Sequence, residues 1–152
     1  MLMFLRHALP EAPVAPRIAR RELVPWDESF SVGNPLIDSE HMEILRLLNL
    51  LYQDWQDGVC RFDIPALHDE LVANFDLHFA NEEEMLTRFG CPRLAEHKAE
   101  HIRLSRELEE IGLSLWSFEQ AEGAERLAAF TRKMLIAHVR DYDMDLKTHG
   151  LQ

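Results

Sequence analysis

The sequence predicts an all-α protein, an up-down-up-down antiparallel four-helix bundle behind an extended N-terminal arm. Three observations point there. Four stretches carry apolar residues at spacings of three and four, bounded by residues that start and stop helices. The connections between them are short, which sets successive helices antiparallel to one another. Five of the eight histidines fall at intervals that place them within or beside the apolar stripes rather than on the polar faces.

Each element follows from its residues. Residues 1–22 contain Pro10, Pro13 and Pro16 and show no helical period, so they are read as a loose arm. The stretch from Leu23 to Gly33 has aromatics but no period. It is expected to lie extended over the core, anchored by Trp26 and Phe30. Asn34-Pro35 supplies a cap and a first helical residue. Ile37, Ile44, Leu45, Leu48 and Leu51 then mark one face up to Gly58. Asp63 and Pro65 open a second helix whose inward residues are Leu67, Leu71, Phe75, Phe79 and Met85, stopped by Gly90. Pro92 opens a third through Leu94, Leu104 and Leu108, fading near Trp116. The polar stretch Ser117–Gly123 is expected to form the last turn. A fourth helix follows through Leu127, Phe130, Met134 and Leu135, ending before Gly150.

The chain has 152 residues, 47% of them hydrophobic. One domain over 23–152 can therefore bury about two-thirds of its unfolded surface without disulfides. The net charge of −11 argues against nucleic acid and anionic membranes as partners. The arm runs the other way, with four Arg against two Glu. Cys60 and Cys91 lack metal-type spacing and are expected to be reduced, buried thiols. The N-terminus has neither the basic lead nor the apolar length of a signal peptide, and no run reaches the length of a membrane span. A cytoplasmic monomer is expected.

The chemistry lies in His41, His78 with Glu82, His97 with His101, and His138 with Asp141, Asp143 and Asp145 nearby. On a helix, residues i and i+4 stand on one face, so His78/Glu82 and His97/His101 each aim two ligand atoms one way. Imidazole suits transition metals, and carboxylates can bridge two of them. Five histidines and two carboxylates exceed what one ion takes, so the count implies a pair. For His7, His68 and His149, the surface reading is preferred. The fourth helix leaves its carboxylate open. Relative to His138, ideal geometry puts Asp145 ~20° away, Asp141 ~60° and Asp143 ~140°. An i+5 ligand would need a local widening such as a π-bulge.

Five motifs then carry a resemblance. They are W-D-x-x-F-x-V-G-N (Trp26–Asn34), I-D-x-x-H (Ile37–His41), H-F-x-x-E-E (His78–Glu83), G-x-P-x-x-x-x-H-x-x-x-H (Gly90–His101) and H-V-x-x-x-D (His138–Asp143). From Trp26 to about Leu146 the chain resembles the hemerythrins, in particular single-domain bacteriohemerythrins. That resemblance selects Asp143 as the last ligand. It implies two non-haem iron ions bridged by an oxo or hydroxo group, with dioxygen as ligand. His97, His101 and His138 would bind one iron, His41 and His78 the other, and Glu82 and Asp143 both. The iron with two histidines would keep an open position.

The family usually has Trp one turn before the final histidine, where this chain has Met134, and often Tyr where it has Cys91. Leu45, Leu48, Phe79, Met134 and Leu135 are expected near the ligands, excluding water. The expected function is reversible dioxygen binding for storage, transport or delivery, without catalysis. The alternatives are an oxygen or redox sensor working through a partner, a di-iron enzyme acting on peroxide or nitric oxide, and an iron-handling protein. The expected partners are dioxygen and an oxygen-consuming or signalling protein.

Overall fold

A computed structural model describes residues 23–57, 64–115 and 120–149. The arm, Gly58, Cys60, Asp63 and Trp116 therefore lie outside the described residues. The elements are a 3-10 turn (Glu28–Phe30), α1 (Pro35–Asp57), α2 (Ile64–Arg88), α3 (Leu94–Leu115), α4 (Gln120–Lys133), a π-helical stretch (Met134–Asp143) and α5 (Met144–His149). The described residues are helical with no strand. Helix α1 packs on α2, α2 on α3, α3 on α4, and α4 back on α1, which closes a ring around one core.

Ahead of α1, Val24, Trp26 and Phe30 pack against that core, and Trp26 meets Phe30 edge to face with centroids 6.1 Å apart. An unanticipated clamp holds the segment. The side chain of Asn49, buried on α1, accepts from the Leu23 and Val24 amides at 2.7 and 3.2 Å and donates to the Val24 carbonyl at 2.9 Å. A buried amide that replaces missing backbone partners in this way fixes a strandless segment against a helix. Asp38 completes the joint by accepting from Ser31 Oγ and the Val32 amide, both at 2.8 Å.

The helix ends follow their residues. The Asn34 side chain accepts from the Leu36 and Ile37 amides, with Pro35 first in the helix. At the end of α2, Gly90 adopts φ +65°. The Cys91 amide then reaches the Leu86 carbonyl at 3.0 Å and the Gly90 amide reaches Thr87 at 3.2 Å. This is the paired closure of a Schellman motif, sealed by burial of Leu86 and Cys91. Helix α3 starts two residues after Pro92, at Leu94.

The expected last turn, Ser117–Gly123, is corrected in part. Residues from Gln120 are already helical, while 116–119 lie outside the described residues. The single fourth helix is also corrected. It is α-helical only to Lys133, widens to π geometry over Met134–Asp143, and resumes at Met144.

Apolar residues form two clusters. The larger includes Ile44, Leu48, Leu71, Phe75, Phe79, Leu104, Phe130, Met134 and Val139. The smaller, at one end, joins Val32, Ile37, Leu86, Cys91 and Leu146. His41 lies between Ile37 and Ile44, Glu82 between Phe79 and Leu86, and Asp143 between Val139 and Leu146. The polar layer is thus sandwiched between two apolar ones. Met85 is only half-buried, and Leu86 takes the inward place. Among the described residues, no helix is long and apolar enough to cross a membrane.

Candidate metal centre

Each helix brings its candidate ligands inward from within the apolar stripe. His41 comes from α1, His78 and Glu82 from α2, His97 and His101 from α3, and His138 and Asp143 from the π stretch. All seven residues are at most 2% exposed. Asp143 Oδ1 lies 3.0 Å from His138 Nε2 and 3.2 Å from His97 Nε2, while its Oδ2 lies 3.3 Å from His41 Nε2. Glu82 Oε2 lies 3.4 Å from His101 Nε2 and 3.5 Å from both His78 Nε2 and His97 Nε2.

Two compact groups result. One is Glu82, His97, His101, His138 and Asp143, and the other is His41, His78, Glu82 and Asp143. Both carboxylates belong to both groups. Residues five apart come into register in a π turn, because its backbone bonds run from i to i+5. That is why Asp143, rather than Asp141 or Asp145, faces inward with His138. The Asp141 side chain is 53% exposed beside Arg140, and Asp145 pairs with Arg93 at 3.4 Å.

Despite these short separations, no aligned hydrogen bond forms. Both oxygens of Glu82 and of Asp143 and the Nε2 atoms of all five histidines are buried without a hydrogen-bond partner. Buried polar atoms left in this state cost a few kcal/mol each. Lone pairs converging on common points are what a cation requires, and neutral imidazoles with two carboxylates match transition-metal preference. The residues fit a pair of metal ions.

Without metal, charge is shared as protons. Burial is the largest influence on His97 and opposes its charged form, yet the neighbouring Asp143 and Glu82 carboxylates outweigh it and push its pKa up to about 9. His41 is raised against the same burial by Asp143. For Glu82, burial and the Asp143 charge favour protonation, but His78, His101 and His97 prevail and hold it at about 2. Asp143 is likewise held far below the usual carboxylate range by His138, His41 and His97, against its burial.

Sequence reasoning missed the partners outside this set. His78 Nδ1 lies 3.2 Å from Glu40 Oε2, and His101 Nδ1 lies 3.0 Å from Glu83 Oε1. Both acids immediately adjoin a ligand in sequence, at His41 and Glu82, and that adjacency was the available signal. Phe79 stacks on His101 with centroids 3.9 Å apart. Tyr142 stacks on His138 at 5.4 Å, and the Arg93 guanidinium lies over the Tyr142 ring, 5.1 Å from its centre. Leu45, Leu48 and Met134 are buried in the adjoining core, while the Leu135 side chain lies outside the described set.

The surface reading of His68 is corrected. It is buried, with Nε2 3.1 Å from the Leu108 carbonyl. Gly112 leaves room for its ring, since a Cβ there would sit 2.4 Å from His68 Cε1. His149 is half-buried, and His7 lies outside the described residues. Cys91 is a buried free thiol.

Residues 32–149 match the family model for the hemerythrin HHE cation binding domain. The chain is 29% identical to a bacteriohemerythrin of Stenotrophomonas maltophilia over 121 residues, covering 80% of this chain and 77% of that protein. It is 31% identical over 119 residues to a bacteriohemerythrin of Aquifex aeolicus, covering 74% and 86%. To the myohemerythrin of Riftia pachyptila it is 26% identical over 122 residues, covering 80% and 89%. The chain belongs to the hemerythrin HHE cation-binding family.

Proposed function

We propose that the protein binds dioxygen reversibly at a non-haem di-iron centre, for storage, transport or delivery, and that it is not an enzyme. One observation carries this reading: seven buried ligands divide into a three-histidine and a two-histidine group that share Glu82 and Asp143. In the proposed assignment His97, His101 and His138 hold one iron, His41 and His78 the other, and both carboxylates hold the two together. The poorer group has one ligand fewer, leaving room for a small molecule there. When bound, two ferrous ions with an oxo or hydroxo bridge would supply the pair of electrons that dioxygen binding needs.

The protein's own residues supply the rest. Neutral imidazoles outnumber carboxylates, so the donor set lacks the excess of anionic oxygen that stabilises high-valent iron. Ile44, Leu45, Leu48, Phe79 and Met134 are buried on the main-core side of this layer and exclude water from it. No second acid–base pair was found in the sequence to support turnover of peroxide or nitric oxide.

The same reading takes the helices as antiparallel, up-down-up-down. Its support is the end cluster joining the start of α1, the end of α2, the start of α3 and α5. It also takes 1–22 as an arm outside a 23–152 domain, and the protein as a cytoplasmic monomer.

The test is to load the reduced protein with ferrous iron, admit oxygen and then remove it. A visible charge-transfer absorption that appears with oxygen and disappears with its removal is expected. Immediate, irreversible oxidation of both irons would overturn the carrier reading in favour of an enzyme or iron handler.

A further inference from the structure

We propose that Glu40 and Glu83 are positioning residues that act unequally on the two metals, with Glu40 making the two-histidine metal the more electron-rich. The inference rests on the two-metal reading above. Of the five ligand histidines, His41, His97 and His138 have a buried Nδ1 without a partner. Only His78 and His101 have a carboxylate at Nδ1, and they belong to different metal groups. With Nε2 given to a metal, Nδ1 carries the proton and donates it toward that carboxylate. Such a bond fixes the ring and raises its basicity as a ligand.

The two carboxylates differ in their other contacts. The second oxygen of Glu40 accepts from the Asn81 amide at 2.5 Å, a neutral donor that leaves the charge in place. The second oxygen of Glu83 lies 3.2 Å from the Lys98 ammonium, which offsets its charge. Solvent acts in the same sense, because the Glu40 side chain is 12% exposed and that of Glu83 is 27%. A charge that is less screened and uncompensated polarises its hydrogen-bonded imidazole more strongly. His78 therefore receives the larger donation. It belongs to the metal with only two histidines, so Glu40 partly makes up for the missing ligand.

Cobalt(II) titration of the metal-free full chain tests this, with affinities read by competition against a chromophoric chelator. Glu40→Gln and Glu83→Gln keep the shape and one oxygen to accept from the imidazole N–H, and remove the charge together with the second accepting oxygen. Two cobalt ions are expected on the wild-type protein. Glu40→Gln should weaken one site by ~10-fold or more, and Glu83→Gln should weaken the other by a smaller factor. Lys98→Gln should tighten the site that Glu83→Gln weakens. The exchangeable, hyperfine-shifted imidazole N–H resonances should respond separately, one to each carboxylate. Wild-type affinity in both Gln variants, equal losses, or a larger loss from Glu83→Gln would overturn the inference and leave the two-metal reading standing. Fewer than two cobalt ions on the wild-type protein would sink the two-metal reading itself.

Discussion

Replacing Asp143 by Asn removes one charge while preserving shape, and the structure fixes what that charge does. The carboxylate is fully buried, and its oxygens lie 3.0–3.3 Å from ring nitrogens of His138, His97 and His41, which span both ligand groups. At an effective dielectric near 20, one unit-charge interaction at 4 Å is worth about 4 kcal/mol. By the free energy of a decade, that is roughly a thousandfold in affinity. Because Asp143 serves both groups, each metal should feel a loss of that order. Asp141 is 53% exposed, so its charge acts through water and Asp141→Asn should change affinity by less than about fivefold. Asp145 is directed to Arg93 and Cys91, so Asp145→Asn should affect local stability more than metal binding. Metal analysis after gel filtration and chelator competition on the three variants decides the matter. Two tightly held metals in Asp143→Asn, or an equal loss from Asp145→Asn, would refute the assignment.

Four further outcomes follow from the structure. In the metal-free protein His97 has a pKa of about 9 and is a cation at neutral pH. Metal must therefore displace at least one proton, and affinity should fall with falling pH; calorimetry in buffers of different ionisation enthalpy counts the protons. The same shifts set metal-free stability. The His97 contribution is complete below 6.5 and is lost as pH rises through about 9. The Glu82 contribution is complete above 4.5 and is lost as pH falls through about 2. Denaturant midpoints should accordingly plateau between pH 4.5 and 6.5 and decline on either side. At a free metal concentration a hundred times the dissociation constant, binding adds about 2.7 kcal/mol, raising Tm by roughly 5–10 °C for a chain of this size; chelation should reverse it. Gly112→Ala drives a methyl into the His68 ring and should cost about 1–3 kcal/mol. Combining it with His68→Ala should recover part of that loss, which urea unfolding of the double-mutant cycle would show.

Much of the fold was legible because helix periodicity and end signals act over short sequence distances. Asn34-Pro35 and Gly90 are local devices, and each terminates its helix as its chemistry requires. The inward placing of six of the seven candidate ligands was legible for the same reason, since a polar side chain in an apolar stripe violates the pattern around it. What escaped notice depends on contacts between distant segments. Asn49 was an inconspicuous polar residue until the Leu23–Val24 backbone was laid against it. His68 lies in register with Leu71 and Phe75 on α2, so its burial was readable from its own helix. The space that admits it comes from Gly112 on α3, forty-four positions away. Glu40 and Glu83 adjoin His41 and Glu82 in sequence, but each meets its imidazole on a neighbouring helix, a contact that adjacency alone does not specify.

Asp143 shows why the last ligand could not be settled by ideal geometry. Uniform α-helical phase assigns the inward place to Asp145 or Asp141, and it fails because the backbone is not uniform there. The π stretch begins at Met134 and ends at Asp143 itself, so the widened turns span both ligands of the segment and little else. π turns are rare, and those that occur are frequently at functional sites. Here the deviation has an identifiable compensation. With Asp143 turned inward, one carboxylate reaches histidines from α1, α3 and its own segment, and both ligand groups acquire a second shared anion. An ideal helix would leave that carboxylate ~140° away from His138 and bring Asp145 or Asp141 round in its place. Deleting one exposed residue between His138 and Asp143, Arg140, should therefore relieve the helix and keep this carboxylate inward, because the two residues then stand at i and i+4 on one face of an ordinary α-helix. The variant should stay folded and keep its capacity for two metals, measured by metal analysis after gel filtration; a folded variant that holds fewer than two would show that the widened turn itself, and not the facing of Asp143, is what the site needs.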